Sequence, residues 1–245
     1  MKAPIVIGAL GGSGTRVIAR IAQQAGIFMG THRNVSEDAM EFVEFYDRWI
    51  NRFVLATALD RDETAAMTHE FRECVTRHRM GIAAPDAPWG WKEPRSIYLL
   101  AFFHSCFARL RFIHVVRDGR DMAFSQNQNQ LRKHGSAVLG TADDAIPQPV
   151  RTALLWQAIN LAAADYGEAL LGSRYLRVRF EDLCANPAAV VRRICEFVDG
   201  APPAGAVTDV IPPASVGRWR SAGGDALIGD VVRCAQPALT RFGYA

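Results

Sequence analysis

The stretch IVIGALGGSGTRV, residues 5–17, runs from a short apolar segment through a glycine-rich turn into a helical pattern. Gly8, Gly11, Gly12 and Gly14 allow left-handed backbone conformations and let main-chain amides approach a ligand closely. The N-terminus of the following helix adds unpaired N–H groups and a partial positive charge. The stretch therefore predicts a strand, an anion-binding turn and a helix, with phosphate as the usual anion.

Two common phosphate-binding motifs do not fit this turn. A nucleoside-triphosphate P-loop has a lysine directly after its last glycine, whereas Thr15 and Arg16 follow Gly14. A dinucleotide fold has an acidic residue at the end of its second strand, and this chain has none at that spacing. A tight turn without a ligand stays an alternative, although four glycines in seven residues are more than a turn needs.

Strand-like and helix-like segments alternate along the rest of the chain. Apolar or β-branched runs predict strands at residues 5–7, 89–92, 111–116 and 175–180. Helices are predicted at residues 15–26, 36–80, 95–107 and about 148–171. Further helices are predicted to end at Gly135, to follow Asn186 as N-cap, and to finish the chain. This alternation predicts an α/β fold with a parallel sheet and helices on both faces.

Composition excludes several classes of protein. The 245 residues are expected to form one domain, and their net charge is only +3. No basic block with interleaved aromatic residues suggests a nucleic-acid partner, and no apolar run is long enough to span a membrane. The start of the chain does not resemble a signal peptide. The five cysteines lack Cys-x-x-Cys spacing, so neither a disulfide framework nor a zinc site is expected, and the cytoplasm is the expected location.

Four further stretches follow the turn in a characteristic order. They are WKEPRS (residues 91–96), FIHVVRDGRDMAFSQ (112–126), YLRVRFEDLCANP (175–187) and PASVGRWRS (213–221). Together with the turn they resemble the sulfotransferase family, which uses 3′-phosphoadenosine 5′-phosphosulfate as sulfuryl donor. The resemblance covers residues 4 to about 221. It implies a single P-loop-like three-layer domain over residues 1–245, with a mostly parallel sheet of about five strands and no metal.

The resemblance also implies roles for individual residues. The family's 5′-phosphosulfate loop corresponds to Gly11, Gly12, Ser13, Gly14, Thr15 and Arg16. Its 3′-phosphate site corresponds to Arg117 and Ser125, and its late donor-contacting loop to Ser215, Gly217, Arg218 and Arg220. The lysine before a proline corresponds to Lys92, as the cation at the leaving group.

One position departs from the family pattern. Many members carry a lysine or arginine where this chain has Gly12, so Arg16, Arg95 or Lys92 is expected to supply the missing charge. Purely structural roles are also possible for these residues. Lys92 could be a surface residue, Arg117 could form an ion pair with Asp118 or Asp121, and Glu93 could form an ion pair with Arg95.

The sequence leaves the acceptor and its base open. His32, Glu37 and Asp38 are the candidate bases, while Ser36–Asp38 could instead start a helix. A helical insertion at about 36–85 is expected to shape the acceptor pocket, although its aromatic residues favour core packing. The expected acceptor is the hydroxyl, or less readily the amine, of a small molecule or carbohydrate. A non-catalytic donor-binding relative and a small-molecule kinase are the competing functions.

Overall fold

The central sheet has four parallel strands in the computed structural model, which describes residues 2–56, 59–140, 145–201 and 214–245. The strands are β1 (Ile5–Ala9), β2 (Gly90–Lys92), β3 (Arg111–Val116) and β4 (Tyr175–Arg179). Their order is β2-β1-β3-β4, and each neighbouring pair is parallel. The α/β class is confirmed, but the expectation of about five strands is wrong within the described residues, where four are present.

Ten α-helices connect and cover the strands in the described part of the chain. They are α1 (Thr15–Gln24), α2 (Val43–Leu55), α3 (Arg61–His78), α4 (Leu100–Cys106), α5 (Gly119–Ala123), α6 (Asn129–Leu139), α7 (Gln148–Tyr166), α8 (Phe180–Ala185), α9 (Pro187–Val198) and α10 (Asp225–Arg241). Short 3₁₀ turns add residues 40–42, 79–81, 94–99, 172–174 and 218–220, and α7 continues as a π-helical turn over residues 167–171.

Two apolar cores lie on opposite faces of the sheet. Side chains alternate across a strand, so Ile5 and Ile7 of β1 face α1 and α9, while Val6 faces the other way. The first core is small and rich in Ile, Val and Ala. The second is larger and aromatic, and it joins α2, α3, α4, α7 and α10. Helices on both faces were predicted from the alternation of elements, and this arrangement is confirmed.

The predicted helix at 36–80 is wrong at its start and continuous only in part. Residues 36–39 form a turn, a 3₁₀ turn covers Met40–Phe42, and α3 begins separately. Asp60 caps α3 because its carboxylate accepts from the backbone of Glu63, whose side chain reaches back to the Asp60 N–H. The suggestion that Ser36–Asp38 start a helix is therefore wrong, which leaves these side chains available for other contacts.

The aromatic residues of α2 pack into the core rather than forming an open lid. Phe45 and Tyr46 are fully buried, and Phe42 stacks on Trp91 of β2 with ring centroids 5.0 Å apart. Core packing, the favoured interpretation of the helical aromatic spacing, is confirmed for these residues. No helix in the described residues is long and apolar enough to cross a membrane.

Candidate functional site

The glycine-rich turn leaves β1 at the carboxyl edge of the sheet and enters α1. Gly12 and Gly14 have φ values of 96° and 86°, in the left-handed region that glycine favours. The Ser13 hydroxyl is buried and donates to the Leu10 carbonyl at 2.7 Å, which closes the turn. Thr15 is buried at the first position of α1, while Arg16 is exposed. Ser13 therefore shapes the turn, and Gly12 presents its backbone to solvent.

Both a neighbouring side chain and the backbone angle require glycine at position 14. A Cβ atom at this position would lie 2.2 Å from Cδ2 of Phe180, the first residue of α8. The Arg117 guanidinium lies over the same ring at 5.2 Å. Phe180 thus supports both the turn and the arginine, and it links the ends of β1, β3 and β4 into one surface.

Arg117, directly after β3, is almost completely buried and bridges two loops. Its Nη1 donates to the Gly12 carbonyl at 3.2 Å, and its Nη2 donates to the carbonyl and hydroxyl of Ser215 at 2.7 and 2.9 Å. Its Nε is buried and has no hydrogen-bond partner among the described residues. An oxygen of Asp121 lies 3.6 Å from Nη2, whereas Asp118 pairs with Arg120 instead. The ion pair considered with Asp121 is thus present, and the one with Asp118 is not.

Asp121 holds the late loop against α5. Its carboxylate, only 1% exposed, accepts from the backbone N–H of Gly217 at 2.8 Å and of Trp219 at 3.3 Å. The Trp219 ring lies between two guanidiniums, 4.3 Å from that of Arg120 and 4.8 Å from that of Arg220. The late loop is therefore held by an acidic residue of α5 as well as by the hydrogen bonds that Arg117 donates to Ser215.

Arg218 lies close to Arg117 in a half-buried position. Its Nε donates to the Ser215 carbonyl at 3.2 Å. Burial, and then the positive charge of Arg117, lower the pKa of Arg218 below its ordinary value. Two guanidiniums with insufficient negative charge between them make this corner favourable for an anion. Arg220, by contrast, is exposed.

Ser125 lies beyond α5, where it lines a cleft of about 610 Å³ between α6 and the start of α7. Its hydroxyl accepts from the Asn127 N–H at 3.2 Å. Arg132, Gln148 and Arg151 line the same cleft. Arg117 is not among the residues that line this cleft, and in the described part of the chain no hydrogen bond joins it to Ser125.

Lys92 is the last residue of β2 and pairs in register with Ile7 of β1, so its side chain lies at the edge that carries the glycine-rich turn. The side chain is 2% exposed, and Nζ donates to Asp38 Oδ1 at 2.5 Å and to the Ser36 carbonyl at 2.7 Å. The alternative of a surface lysine is wrong. A buried ammonium with one carboxylate partner is a point charge held at a fixed place.

The other two candidate bases lie in different surroundings. The His32 side chain is 72% exposed, with Nδ1 3.9 Å from a carboxylate oxygen of Glu41. Glu37, which has a left-handed φ of 65°, accepts from Gln23 and Arg20 and also faces Arg33. Burial raises the pKa of Glu37, but these hydrogen bonds and charges outweigh it and lower the pKa overall. Of the three, Asp38 alone contacts Lys92 in the described structure.

The charge that Gly12 lacks is not supplied by Arg95. Its guanidinium donates to Glu93 at 2.8 Å and to Asp47 at 2.5 Å, and it lies 5.3 Å from the Tyr46 ring. The suggested Glu93–Arg95 pair is therefore present, and it occupies Arg95. Of the three residues expected to supply the missing charge, Lys92 and the exposed Arg16 stay candidates.

Sequence reasoning missed three contacts that build this site. Phe180 supports Gly14, Asp121 binds the late loop, and Asn34 donates to Asp38 at 2.9 Å. Asn34 carried a usable signal, because asparagine readily caps its own turn. Phe180 and Asp121 act across contacts that only the folded chain brings together. Among the described residues, no group of three or more His, Cys, Asp or Glu side chains is placed to bind a metal ion.

Comparison with known protein families assigns the chain that carries this site to a family. The sequence profile described as "Sulfotransferase family" matches residues 4–201. The chain belongs to the sulfotransferase family. The match includes the glycine-rich turn, Lys92, Arg117 and Ser125, so the family assignment extends over the carboxyl edge of the sheet. Family membership implies transfer of a sulfuryl group from a donor.

Several solved sulfotransferases share the fold of this family member. A sulfotransferase domain from the curacin biosynthetic pathway is 15% identical, with a TM-score of 0.58 and coverage of 100% of this chain and 99% of that one. The sulfotransferase domain of the Synechococcus PCC 7002 olefin synthase is 18% identical, with a TM-score of 0.56 and coverage of 100% and 97%. A sulfotransferase from Alicyclobacillus acidocaldarius is 15% identical, with a TM-score of 0.53 and coverage of 98% and 94%. No curated protein matches the sequence. At such identities the likeness of this sulfotransferase to the solved structures shows the fold alone.

Proposed function

We propose that this protein transfers a sulfuryl group from 3′-phosphoadenosine 5′-phosphosulfate to the hydroxyl, or less readily the amine, of a small molecule or carbohydrate. One observation carries the proposal. The glycine-rich turn, Lys92 and Arg117 leave three adjacent parallel strands at the same edge of the sheet. Ligands of open α/β sheets bind at this edge, and the order β2-β1-β3 sets a cation on each side of the anion-binding turn.

The donor's two phosphate ends fit the residues present. The amides of the turn and Thr15 would hold the 5′-phosphate at the start of α1. Arg117 would hold the 3′-phosphate, because its buried Nε lacks a partner in the described part of the chain and Arg218 lies beside it. Ser125 and the late loop, with Ser215, Gly217, Arg218 and Arg220, would complete this side. The Gly12 and Ser215 contacts of Arg117 would then be exchanged, at least in part, for phosphate oxygens.

Lys92 would act on the leaving group. In an in-line transfer the acceptor oxygen bonds to sulfur while the bond from sulfur to the 5′-phosphate oxygen breaks. Negative charge grows on that phosphate, so a cation there stabilises the transition state more than the bound donor. Arg16 is exposed at the start of α1 and would meet the sulfate end, where Gly12 offers no charge.

The test measures nucleotide binding and transfer separately. We expect adenosine 3′,5′-bisphosphate to raise the melting temperature well above the value with AMP or ATP, since only it has the 3′-phosphate for Arg117. Transfer is followed with donor carrying labelled sulfate and a cell extract as the source of acceptors. Lys92→Ala should slow transfer by about two to three orders of magnitude and weaken bisphosphate binding by less than about tenfold.

Lys133→Ala is the matched control. Lys133 is half-exposed and pairs with Asp47 rather than with Asp38, so its loss should leave transfer near the normal rate. Binding of the bisphosphate without transfer to any extract component would favour the non-catalytic relative instead. Equal shifts from all three nucleotides would contradict the donor assignment, and a preference for ATP would favour a kinase.

A further inference from the structure

The segment before α2 is folded into a turn that presents one carboxylate to the edge of β2. Arg33 and Ala39 form an isolated antiparallel bridge, and the Ala39 N–H donates to the Lys92 carbonyl at 2.9 Å. Between them the chain reverses, with Glu37 in the left-handed region at φ 65°. A non-glycine residue is seldom found there, and it persists when its surroundings hold it. This turn, residues 33–39, is therefore hydrogen-bonded through Ala39 to Lys92, the last residue of β2.

Asn34 organises the turn from within. Its Oδ1 accepts from the backbone N–H groups of Ser36 and Asp38 at 2.8 and 3.0 Å. Its Nδ2 donates to Asp38 Oδ2 at 2.9 Å. Because Lys92 occupies the other oxygen, Oδ1, at 2.5 Å, both oxygens of the Asp38 carboxylate are held. The side chain nevertheless stays 20% exposed, so a substrate hydroxyl can reach it.

The neighbouring Glu37 has the opposite arrangement. It points to α1, where Gln23 and Arg20 donate to it, and Arg33 lies 3.3 Å away. Three partners that favour the charged form make it a poor proton acceptor. The exposed His32 faces Glu41 rather than Lys92. The contacts of the three candidate bases therefore differ. Only Asp38, among these three, pairs with Lys92, the cation proposed to act on the leaving group.

We propose that Asp38 is the base that accepts the acceptor's proton, and that Lys92 occupies this carboxylate until the donor draws the ammonium away. The inference rests on the proposed sulfuryl transfer. In the resting protein Lys92 neutralises Asp38. When the donor's 5′-phosphate binds the glycine-rich turn, Lys92 moves its hydrogen bond from Asp38 to the 5′-phosphate oxygen that will leave sulfur. Asp38 Oδ1 then becomes able to accept a hydrogen bond from the O–H of the acceptor.

The step balances within these groups. The acceptor oxygen forms its bond to sulfur, and its proton passes to Asp38. The electron pair of the breaking S–O bond stays on the 5′-phosphate, where Lys92 neutralises it. Asn34 is a positioning residue, because it keeps Oδ2 and the turn in place while Oδ1 changes partner. Without bound donor the base is masked, which couples proton transfer to occupancy of the donor site.

The charges around Asp38 predict a binding signature that needs no acceptor. Lys92 and the buried Glu93 face it from the end of β2, and Arg33 and Glu37 lie on its own turn. When Lys92 turns to the phosphate, Asp38 loses its cation and lies near new negative charge. A carboxylate in that position binds protons more readily, so at about pH 5.5 we expect bisphosphate binding to be accompanied by uptake of part of a proton.

Calorimetry in two buffers of different ionisation enthalpy measures this uptake with adenosine 3′,5′-bisphosphate as ligand. The ligand's own phosphates also titrate near this pH, so the quantity of interest is the difference between variants. Asp38→Asn should still bind the bisphosphate but should lose the uptake. Glu37→Gln, the neighbouring carboxylate held by α1, should keep it. In transfer assays Asp38→Asn should lower the rate by about 10²–10⁴-fold with bisphosphate affinity within a few-fold.

A second variant tests Asn34 without removing the turn. Asn34→Asp keeps an oxygen for the two backbone amides but replaces the donor to Asp38 with negative charge. It should move the acidic limb of the pH–rate profile to higher pH, which a merely structural role would not do. Equal proton uptake by wild type and Asp38→Asn, or normal transfer by Asp38→Asn, overturns the inference while leaving the donor assignment intact. Absence of bisphosphate binding by the wild type would instead contradict the proposed function.

Discussion

Replacement of Arg117 by alanine should lower the stability of the ligand-free protein and should also weaken its binding of adenosine 3′,5′-bisphosphate. In the ligand-free structure its guanidinium donates three hydrogen bonds, to Gly12 and to two oxygens of Ser215. Hydrogen bonds from a charged donor contribute about 1.5–3 kcal/mol each, and water regains part of this at the half-buried Ser215, so we expect a loss of about 3 kcal/mol. For a chain of this size that corresponds to a fall in melting temperature of about 6–12 °C.

The second loss appears in nucleotide selectivity. Arg117→Ala should weaken binding of adenosine 3′,5′-bisphosphate by at least about tenfold, because one charge-assisted hydrogen bond to the 3′-phosphate is worth about 1.5 kcal/mol or more. AMP lacks that phosphate and should lose much less. Calorimetric titration with both nucleotides, combined with thermal unfolding of the ligand-free protein, gives both numbers for the same sample.

Arg111→Ala provides the matched control. Arg111 begins the same strand at the opposite edge of the sheet, where it pairs with Asp199 and donates to the Phe197 carbonyl. Its loss should reduce stability without changing the preference for the bisphosphate over AMP. The reasoning fails if Arg117→Ala weakens the two nucleotides equally, or if the ligand-free variant melts within about 2 °C of the wild type.

Three further predictions concern single positions. Gly14→Ala should greatly reduce both stability and bisphosphate binding, since its Cβ would lie 2.2 Å from Phe180. Gly172→Ala, at φ 55° and ψ −121° with no atom within 4 Å of the added Cβ, should lose only the backbone strain of about 1–3 kcal/mol by thermal unfolding. Burial lowers the pKa of His114 from 6.5 to about 4, so the unfolded state binds its proton first and about 3 kcal/mol of stability should be lost as pH falls from 6.5 to 4. His114→Gln should flatten that slope in denaturant titrations at several pH values, and an unchanged slope would contradict it. Arg16→Ala should slow transfer more than it weakens bisphosphate binding; unchanged transfer would mean that Arg16 faces only solvent.

The parts of the fold that depend on local pattern could be predicted from the sequence. The buried runs at residues 111–116 and 175–180 gave strands close to β3 and β4, and Asn186 caps α9 by accepting from the Ala189 N–H, as expected. Gly135 was expected to end a helix, but α6 continues to Leu139 and Gly140 follows it at φ 79°. A helix tolerates one glycine when its packing is favourable, so this signal was weaker than it looked.

The candidate site was predictable in its parts but not in its pairings. The glycines were predicted from a local motif, and Lys92 and Arg117 from the family resemblance of the stretches that contain them. The local Glu93–Arg95 pair could be suggested from the sequence, whereas the pairing of Lys92 with Asp38 and of Arg95 with Asp47 depends on which loops meet in space. The start of the helical segment shows the same limit. Residues 36–39 contain good helix-starting side chains, but their attachment to β2 through Ala39 outweighs that preference.

The hydrogen bonds between Asp121 and the late loop affect the order in which the parts of the structure can form during synthesis of the chain. The amides that it accepts from lie 96 and 98 residues downstream, at Gly217 and Trp219. Domains form progressively as the ribosome extends the chain, so every strand of the described sheet has been made well before this contact is possible. A nascent chain can therefore build its scaffold while the corner around Arg117 is still open. The corner around Arg117, where the donor is proposed to bind, is therefore completed only after all four strands of the described sheet have been made.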